Sequence, residues 1–109
     1  MVTILNTSIL TEYGDYSYRG ISLEEAKKMV ANGFQSAIGH ESTAKIISTL
    51  LNIECPVNRI QYSQKVGDFA LIFKLNGRPE EGKILTIEEI EAIGYSWGEL
   101  LRGLDGTIR

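Results

Sequence analysis

A chain of 109 residues with 43% apolar side chains fits one domain, large enough to bury roughly 60–70% of its unfolded surface around a single core. Its formal net charge of -3 argues against a sequence-independent nucleic-acid binder, which needs Lys and Arg massed on one face to displace counterions, so duplex DNA is not an expected partner. One cysteine and one histidine supply neither an intrachain disulfide nor a zinc-ligand spacing, and no apolar run approaches the roughly 18 residues that span a bilayer.

With Met1-Val2-Thr3-Ile4-Leu5 lacking the basic start of a signal peptide, the expectation is a cytoplasmic protein without metal, cofactor or membrane anchor. Val2 to Leu5 is β-branched and apolar enough for a buried strand, closed by Asn6-Thr7-Ser8. Short polar side chains at a strand end either face a ligand or cap a turn through local backbone hydrogen bonds. Tyr13 to Tyr18 alternates aromatic and small polar residues around Gly14-Asp15, predicting a turn and a short edge strand that ends near Arg19-Gly20.

Ser22-Leu23-Glu24-Glu25 reads as a capping box, with Leu23, Ala26 and Val30 as an apolar stripe and Gly33 as the stop. Glu24, Glu25, Lys27 and Lys28 form its solvated face. Phe34 to Ile38 is the next strand. It runs through Gly39-His40-Glu41-Ser42-Thr43 into a helix whose Ile46, Ile47, Leu50 and Leu51 share one face, and Cys55-Pro56 is expected to end that region. Cys55 reads as a small buried hydrophobe.

Val57 to Tyr62 alternates and predicts a strand, with Arg59 opposite Ile60. Phe69 to Phe73 is the expected central strand; Lys74 and Asn76-Gly77 mark its exit, with an Asn-Gly hairpin as one option. Arg78 to Lys83 carries four charges with a proline and a glycine among them and suits an exposed loop. Thr86-Ile87-Glu88-Glu89 is a second capping box, opening a helix that stops at Gly94. Tyr95 to Leu101 suits a last strand, with Trp97 as a packing residue, and the tail from about residue 103 is expected to fray. The fold class is thus α/β or α+β, a mixed sheet flanked by about three helices in one domain over residues 1–109.

Chemistry concentrates at Gly39-His40-Glu41-Ser42-Thr43. If Ser42 lies in the first turn of a helix, that turn's N–H groups point outward with the positive end of the helix dipole and suit an anion. Gly39 would let a phosphate approach the backbone, and the Ser42 and Thr43 hydroxyls would add donors. His40 by itself is either a structural hydrogen-bonder or a catalyst. Adding the charged loop sharpens the choice: Arg78 could stabilise charge on a phosphate, and Glu81 could orient His40 or accept a proton. A lone histidine cannot be both acid and base, so it would serve as general acid on a leaving alkoxide, with the substrate supplying the nucleophile, as RNA does through its 2′-hydroxyl.

Three blocks, Ser36-Ala37-Ile38-Gly39-His40-Glu41-Ser42-Thr43, Asn58-Arg59 and Arg78-Pro79-Glu80-Glu81-Gly82-Lys83-Ile84-Leu85-Thr86, resemble in order and spacing the viral type III anti-CRISPR ring nucleases and their bacterial relatives. The resemblance covers about residues 2 to 94. It implies a metal-independent homodimer that degrades cyclic tetra-adenylate, the second messenger of type III CRISPR defence. It places His40 on the general acid for the 5′-oxygen leaving group and Glu81 on the glutamate that assists it. Arg78 and Arg59 fall on ligand-binding arginines, and Asn6 and Ser8 on residues contacting ribose and phosphate near the reacting 2′-hydroxyl. The family's asparagine and serine stand one residue further apart, and Lys74 replaces a family glutamine, which suggests a phosphate contact there instead.

A cyclic tetranucleotide can sit on a twofold axis, so a C2 dimer would meet it with two copies of one site and release two linear di-adenylates with 2′,3′-cyclic phosphate ends. Local cations and helix N-termini would hold the phosphates, which is compatible with a net negative surface. The alternative is a sponge that binds the messenger without cutting it; the presence of His40 and Glu81 speaks against that.

Overall fold

The computed structural model describes residues 2–77 and 85–103. Eight elements follow in the order β1 (Val2–Leu5), β2 (Tyr16–Ile21), α1 (Leu23–Val30), β3 (Phe34–Ser36), α2 (Glu41–Leu51), β4 (Phe69–Leu75), α3 (Ile87–Ile93) and β5 (Tyr95–Arg102). The strands form one five-stranded sheet in the order β2-β5-β4-β1-β3. β1 lies between β3 and β4 and runs parallel to both, while β5 lies antiparallel between β4 and β2. The result is an α+β fold with a mixed sheet and three helices, as the element pattern predicts.

Local chemistry sets most of the boundaries. The hydroxyl of Ser22 accepts from the Glu25 N–H at 3.1 Å and that of Thr86 from the Glu89 N–H at 3.2 Å. Each glutamate also reaches back to the N–H of its cap residue, so both expected capping boxes form. Gly33 at φ 113 and Gly94 at φ 87 take backbone shapes that L side chains rarely adopt, and end α1 and α3. α2 stops earlier than the Cys55-Pro56 signal: Asn52 enters the left-handed region at φ 53 and donates to Ser48 O. A short polar side chain tolerates that conformation, which closes the helix before the proline can.

Period-two alternation divides the sheet into two unequal faces. On one face Ile4, Leu71, Phe73 and Trp97 pack against Ala26 and Val30 of α1, Ala44, Ile46, Ile47, Leu50 and Leu51 of α2, and Ile90 of α3. Phe73 and Trp97 stand 4.9 Å apart between ring centroids at 51°, a favourable tilted geometry that gives Trp97 its packing role. Cys55 is buried in the same core. The hydrophobic cluster on the other face is smaller, Leu5, Ala70, Ile72 and Leu100 with Tyr16, Ala37 and Tyr62 packed against them.

Tyr62 comes from the segment whose alternation suggested a strand over 57–62. No strand forms there. After Pro56 the chain runs instead beside residues 36–39, held by side-chain and isolated backbone hydrogen bonds. The final strand is one residue longer than expected, Tyr95–Arg102, and pairs along its length with both β4 and β2. The Asn76-Gly77 pair does not make a two-residue hairpin. β4 and β5 pair from Leu75↔Tyr95 with α3 lying between them in the chain, and the Asn76 N–H donates to Gly94 O at 2.9 Å. Among the described residues no helix is long and apolar enough to cross a membrane.

Candidate functional site

The three parallel strands end on one edge of the sheet, and the residues singled out by sequence leave from it. In parallel sheets side chains and helix starts beyond the carboxyl ends are free of the ladder, which makes this edge the usual ligand side. The Ile4↔Ser36 pairing is extended by the Ala37 N–H donating to Ile4 O at 3.0 Å. Asn6 therefore emerges level with the turn that carries Gly39 and His40. Lys74 lies two residues beyond the Leu5↔Ile72 pair, on the same edge.

Both Asn6 and Ser8 are exposed, and neither side chain makes a hydrogen bond among the described residues. The local capping bond that the sequence allowed for them is not among the described hydrogen bonds. Lys74 is exposed on the thinly covered face and places its Nζ 5.7 Å from the centroid of the Tyr18 ring. This is a cation–π distance.

α2 differs from its two neighbours at its start. His40 is the N-cap residue, with extended backbone at φ -119 and ψ 129, and its imidazole makes no capping hydrogen bond. The first intrahelical bond runs from the Ala44 N–H to His40 O at 3.0 Å. The N–H groups of Glu41, Ser42 and Thr43 thus meet no acceptor among the described residues, whereas α1 and α3 each spend a hydroxyl and a carboxylate on theirs. Glu41 turns along the helix to pair with Lys45 at 3.3 Å. His40 is exposed, and Ser42 and Thr43 are half-buried.

The turn between β3 and α2 is held from one side. Asn58 Nδ2 donates to Ser36 O at 2.8 Å, the Asn58 N–H donates to Ile38 O at 2.8 Å, and Arg59 Nε donates to Gly39 O at 2.8 Å. The buried hydroxyl of Ser36 donates to Pro56 O at 2.6 Å and accepts from the Ile38 N–H at 3.2 Å. A Cβ built on Gly39 would stand 3.3 Å from Arg59 Cγ. The space expected for a phosphate at Gly39 is therefore filled on that side by the arginine stem. The guanidinium keeps its two terminal nitrogens without a partner among the described residues.

Arg78 and Glu81 lie outside the described residues, so the constellation of His40 with Arg78 and Glu81 stays an expectation from sequence. No three His, Cys, Asp or Glu side chains converge as a metal cluster among the described residues. A surface concavity lined by Leu10, Thr11, Glu12, Tyr13, Gly14 and Tyr16 belongs to the opposite edge of the sheet, where β2 begins. It contains none of the expected site residues. Sequence reasoning gave Asn58 no role of its own, because its acceptor on Ser36 is 22 residues away.

A family profile described as STIV B116-like matches residues 2–97. Uncharacterized protein 26 of Sulfolobus islandicus filamentous virus is 41% identical over 102 residues, covering 88% of this chain and 86% of that protein. Uncharacterized protein YddF of Bacillus subtilis is 31% identical over 104 residues, covering 93% of this chain and 96% of its own. Among solved structures, B116 of Sulfolobus turreted icosahedral virus superposes with a TM-score of 0.81 at 25% identity, covering 93% of this chain and 98% of that one.

Proposed function

The chain belongs to the STIV B116-like family, and from that premise we propose that it is a metal-independent ring nuclease that opens cyclic tetra-adenylate and so silences type III CRISPR signalling. The observation that carries the reading is the start of α2: an exposed histidine at the N-cap, followed by three N–H groups without an acceptor among the described residues. Such a turn suits a phosphate oxygen, and the helix dipole adds to its pull. Arg59 stands against the same turn and Asn6 leaves the neighbouring strand on the same edge. Lys74 supplies a cation on that edge.

In this reading the substrate's 2′-hydroxyl attacks the adjacent phosphorus. A bond from the 2′-oxygen to phosphorus forms and the bond to the 5′-oxygen breaks. The departing oxygen takes a proton from the His40 imidazolium, while the attacking hydroxyl gives its own to solvent or to a base. Glu81 and Arg78 are assigned to assistance and charge stabilisation by their place in the sequence motif. The nucleophile comes from the substrate and the acid from His40, so no step calls for a metal. Two copies of the site in a homodimer would cut opposite phosphates and leave two linear di-adenylates.

Incubation of the protein with cyclic tetra-adenylate in excess EDTA tests this. Linear products ending in 2′,3′-cyclic phosphate are expected, and a 2′-deoxy substitution at the cut positions should block cleavage while leaving binding. A ring that is bound tightly and recovered intact would make the protein a sponge. A ring that is not bound at all would end both readings.

A further inference from the structure

The turn that carries His40 has no regular ladder to fix it. β3 is only three residues long, ends at Ser36, and lies at the edge of the sheet. Past Ser36 the chain must leave the sheet and enter α2 within four residues, through a glycine and a cap residue that makes no capping bond. Past the bond from the Ala37 N–H to Ile4 O, such a turn left to itself would sample several entry angles, because neither a strand partner nor an N-cap bond selects one.

The selection comes from Asn58. Its Nδ2 and its backbone N–H donate, each at 2.8 Å, to the carbonyls of Ser36 and Ile38, which are successive carbonyls on one side of the departing chain. One residue thus supplies both donors that an absent edge strand would have supplied from alternate positions. Asn58 is itself anchored from behind: Ser36 Oγ donates to Pro56 O, Cys55 Sγ donates to Ser36 Oγ at 3.6 Å, and the Cys55 N–H donates to Ser48 Oγ at 2.9 Å. The anchor therefore reaches the body of α2, while the clasp at Asn58 acts on the turn that leads into it.

We propose that Asn58 is a positioning residue for His40, clasping Ser36 and Ile38 so that the turn through Gly39 presents the imidazole at one fixed angle above the open N–H groups of α2. The role assigned to His40 rests on the ring-nuclease reading; the clasp itself does not. Asn58 makes no contact with substrate in this scheme. Its amide is directed inward to Ser36 O, and its effect on the reaction passes entirely through the geometry of residues 37–40. A general acid must lie within hydrogen-bond reach of the departing oxygen, and a displacement of about 1 Å is enough to cost on the order of a hundredfold in rate.

His40 is the sole histidine, so the Cε1–H signal of its imidazole is a single resolved probe of this angle in the intact protein. Asn58→Ala removes the side-chain half of the clasp and keeps the backbone half; Asn58→Asp keeps the shape and replaces the donor by an acceptor facing Ser36 O. Both should shift and broaden the His40 resonance. Both should lower single-turnover cleavage of cyclic tetra-adenylate roughly 10- to 100-fold while its affinity changes by less than about threefold. Ser48→Ala cuts the anchor behind Asn58 and serves as the comparison: it should lower the melting temperature and leave the His40 resonance in place.

An unmoved His40 signal in both Asn58 variants overturns the proposal, as does an equal shift in Ser48→Ala, which would make the effect general loosening. A shift of the resonance in the Asn58 variants, with a wild-type protein that does not cleave the ring, would sustain the clasp and remove the ring-nuclease reading, so the two failures are told apart.

Discussion

Arg59 closes over Gly39: its Nε donates to Gly39 O at 2.8 Å, and its Cγ lies 3.3 Å from the position a Gly39 Cβ would take. A side chain at position 39 would thus press on a neighbouring side chain rather than on backbone. Because Gly39 does not have a positive φ, Gly39→Ala should fold normally and displace only the arginine stem by a few tenths of an ångström. Calorimetric titration with cyclic tetra-adenylate should show affinity weakened about tenfold, or about 1.4 kcal/mol, with the melting temperature within a few degrees of wild type. Unchanged affinity would mean that the guanidinium takes no part in binding.

A second close approach lies on the thinly covered face. A Cβ at Gly98 would stand 2.5 Å from Tyr18 Cε1, so the Tyr18 ring lies directly on the β5 backbone, with Lys74 Nζ at 5.7 Å from its centroid. Gly98→Ala should cost about 1–3 kcal/mol by overpacking. Tyr18→Ala in the same chain should recover part of that loss, a coupling readable in a urea double-mutant cycle. Strictly additive losses would show that the ring does not depend on the glycine.

Gln64 is fully buried, and its Nε2 donates to Asp68 O at 2.8 Å and Leu100 O at 3.0 Å. Arg102, nearly buried, donates to Gln64 O at 2.8 Å and Tyr13 O at 3.0 Å. These two side chains tie the irregular segments before β2 and β4 to the end of β5. Gln64→Leu keeps the volume and removes both side-chain donors, leaving Asp68 O the Arg102 N–H alone, so it should destabilise the protein by about 1–3 kcal/mol in equilibrium unfolding. A loss under about 0.5 kcal/mol would contradict the tie.

Burial pushes the Cys55 thiol and the Tyr62 phenol above their ordinary values, with the Ser36 hydroxyl pulling the thiol back in part. Both groups are neutral when protonated, so the fold favours the protonated form. Below the unfolded values, about 8.5 for a thiol and about 10 for a phenol, they add no pH dependence. Above them the unfolded chain ionises first and stability falls as pH rises through the folded values. Melting temperature should therefore be level near pH 8 and decline from about pH 9 upward, with the early part of the decline missing in Cys55→Ala. A rise in stability over that range would contradict the burial of both groups.

What the sequence conveys and what it withholds divide along the range of the interactions. Ser22 with Glu25 and Thr86 with Glu89 are legible because a capping box is complete within four residues. Cys55 and Trp97 are legible because their side chains have little else to do but pack. The segment 57–62 alternates like a strand, yet pairing depends on a neighbour that alternation cannot supply. Asn58 takes Ser36 O with its side chain, and the chain settles as a strap. The same distance hides the closure of Arg59 over Gly39 and the burial of Arg102, whose partners are 20 and up to 90 residues away in sequence. The histidine at the start of α2 was visible from the beginning; that its helix alone goes without a capping bond was not. Arg78 and Glu81 fall outside the described residues, and their part in the site rests on the sequence motif.

The central claim is that His40 is the general acid of a ring-opening reaction, and single-turnover cleavage of cyclic tetra-adenylate in EDTA, wild type against His40→Ala, tests it most directly. The account predicts conversion of the ring to linear di-adenylates by the wild-type protein, a rate lower by at least about 100-fold in the variant, and ring affinity preserved within a few fold. Equal cleavage rates in the two proteins would contradict it.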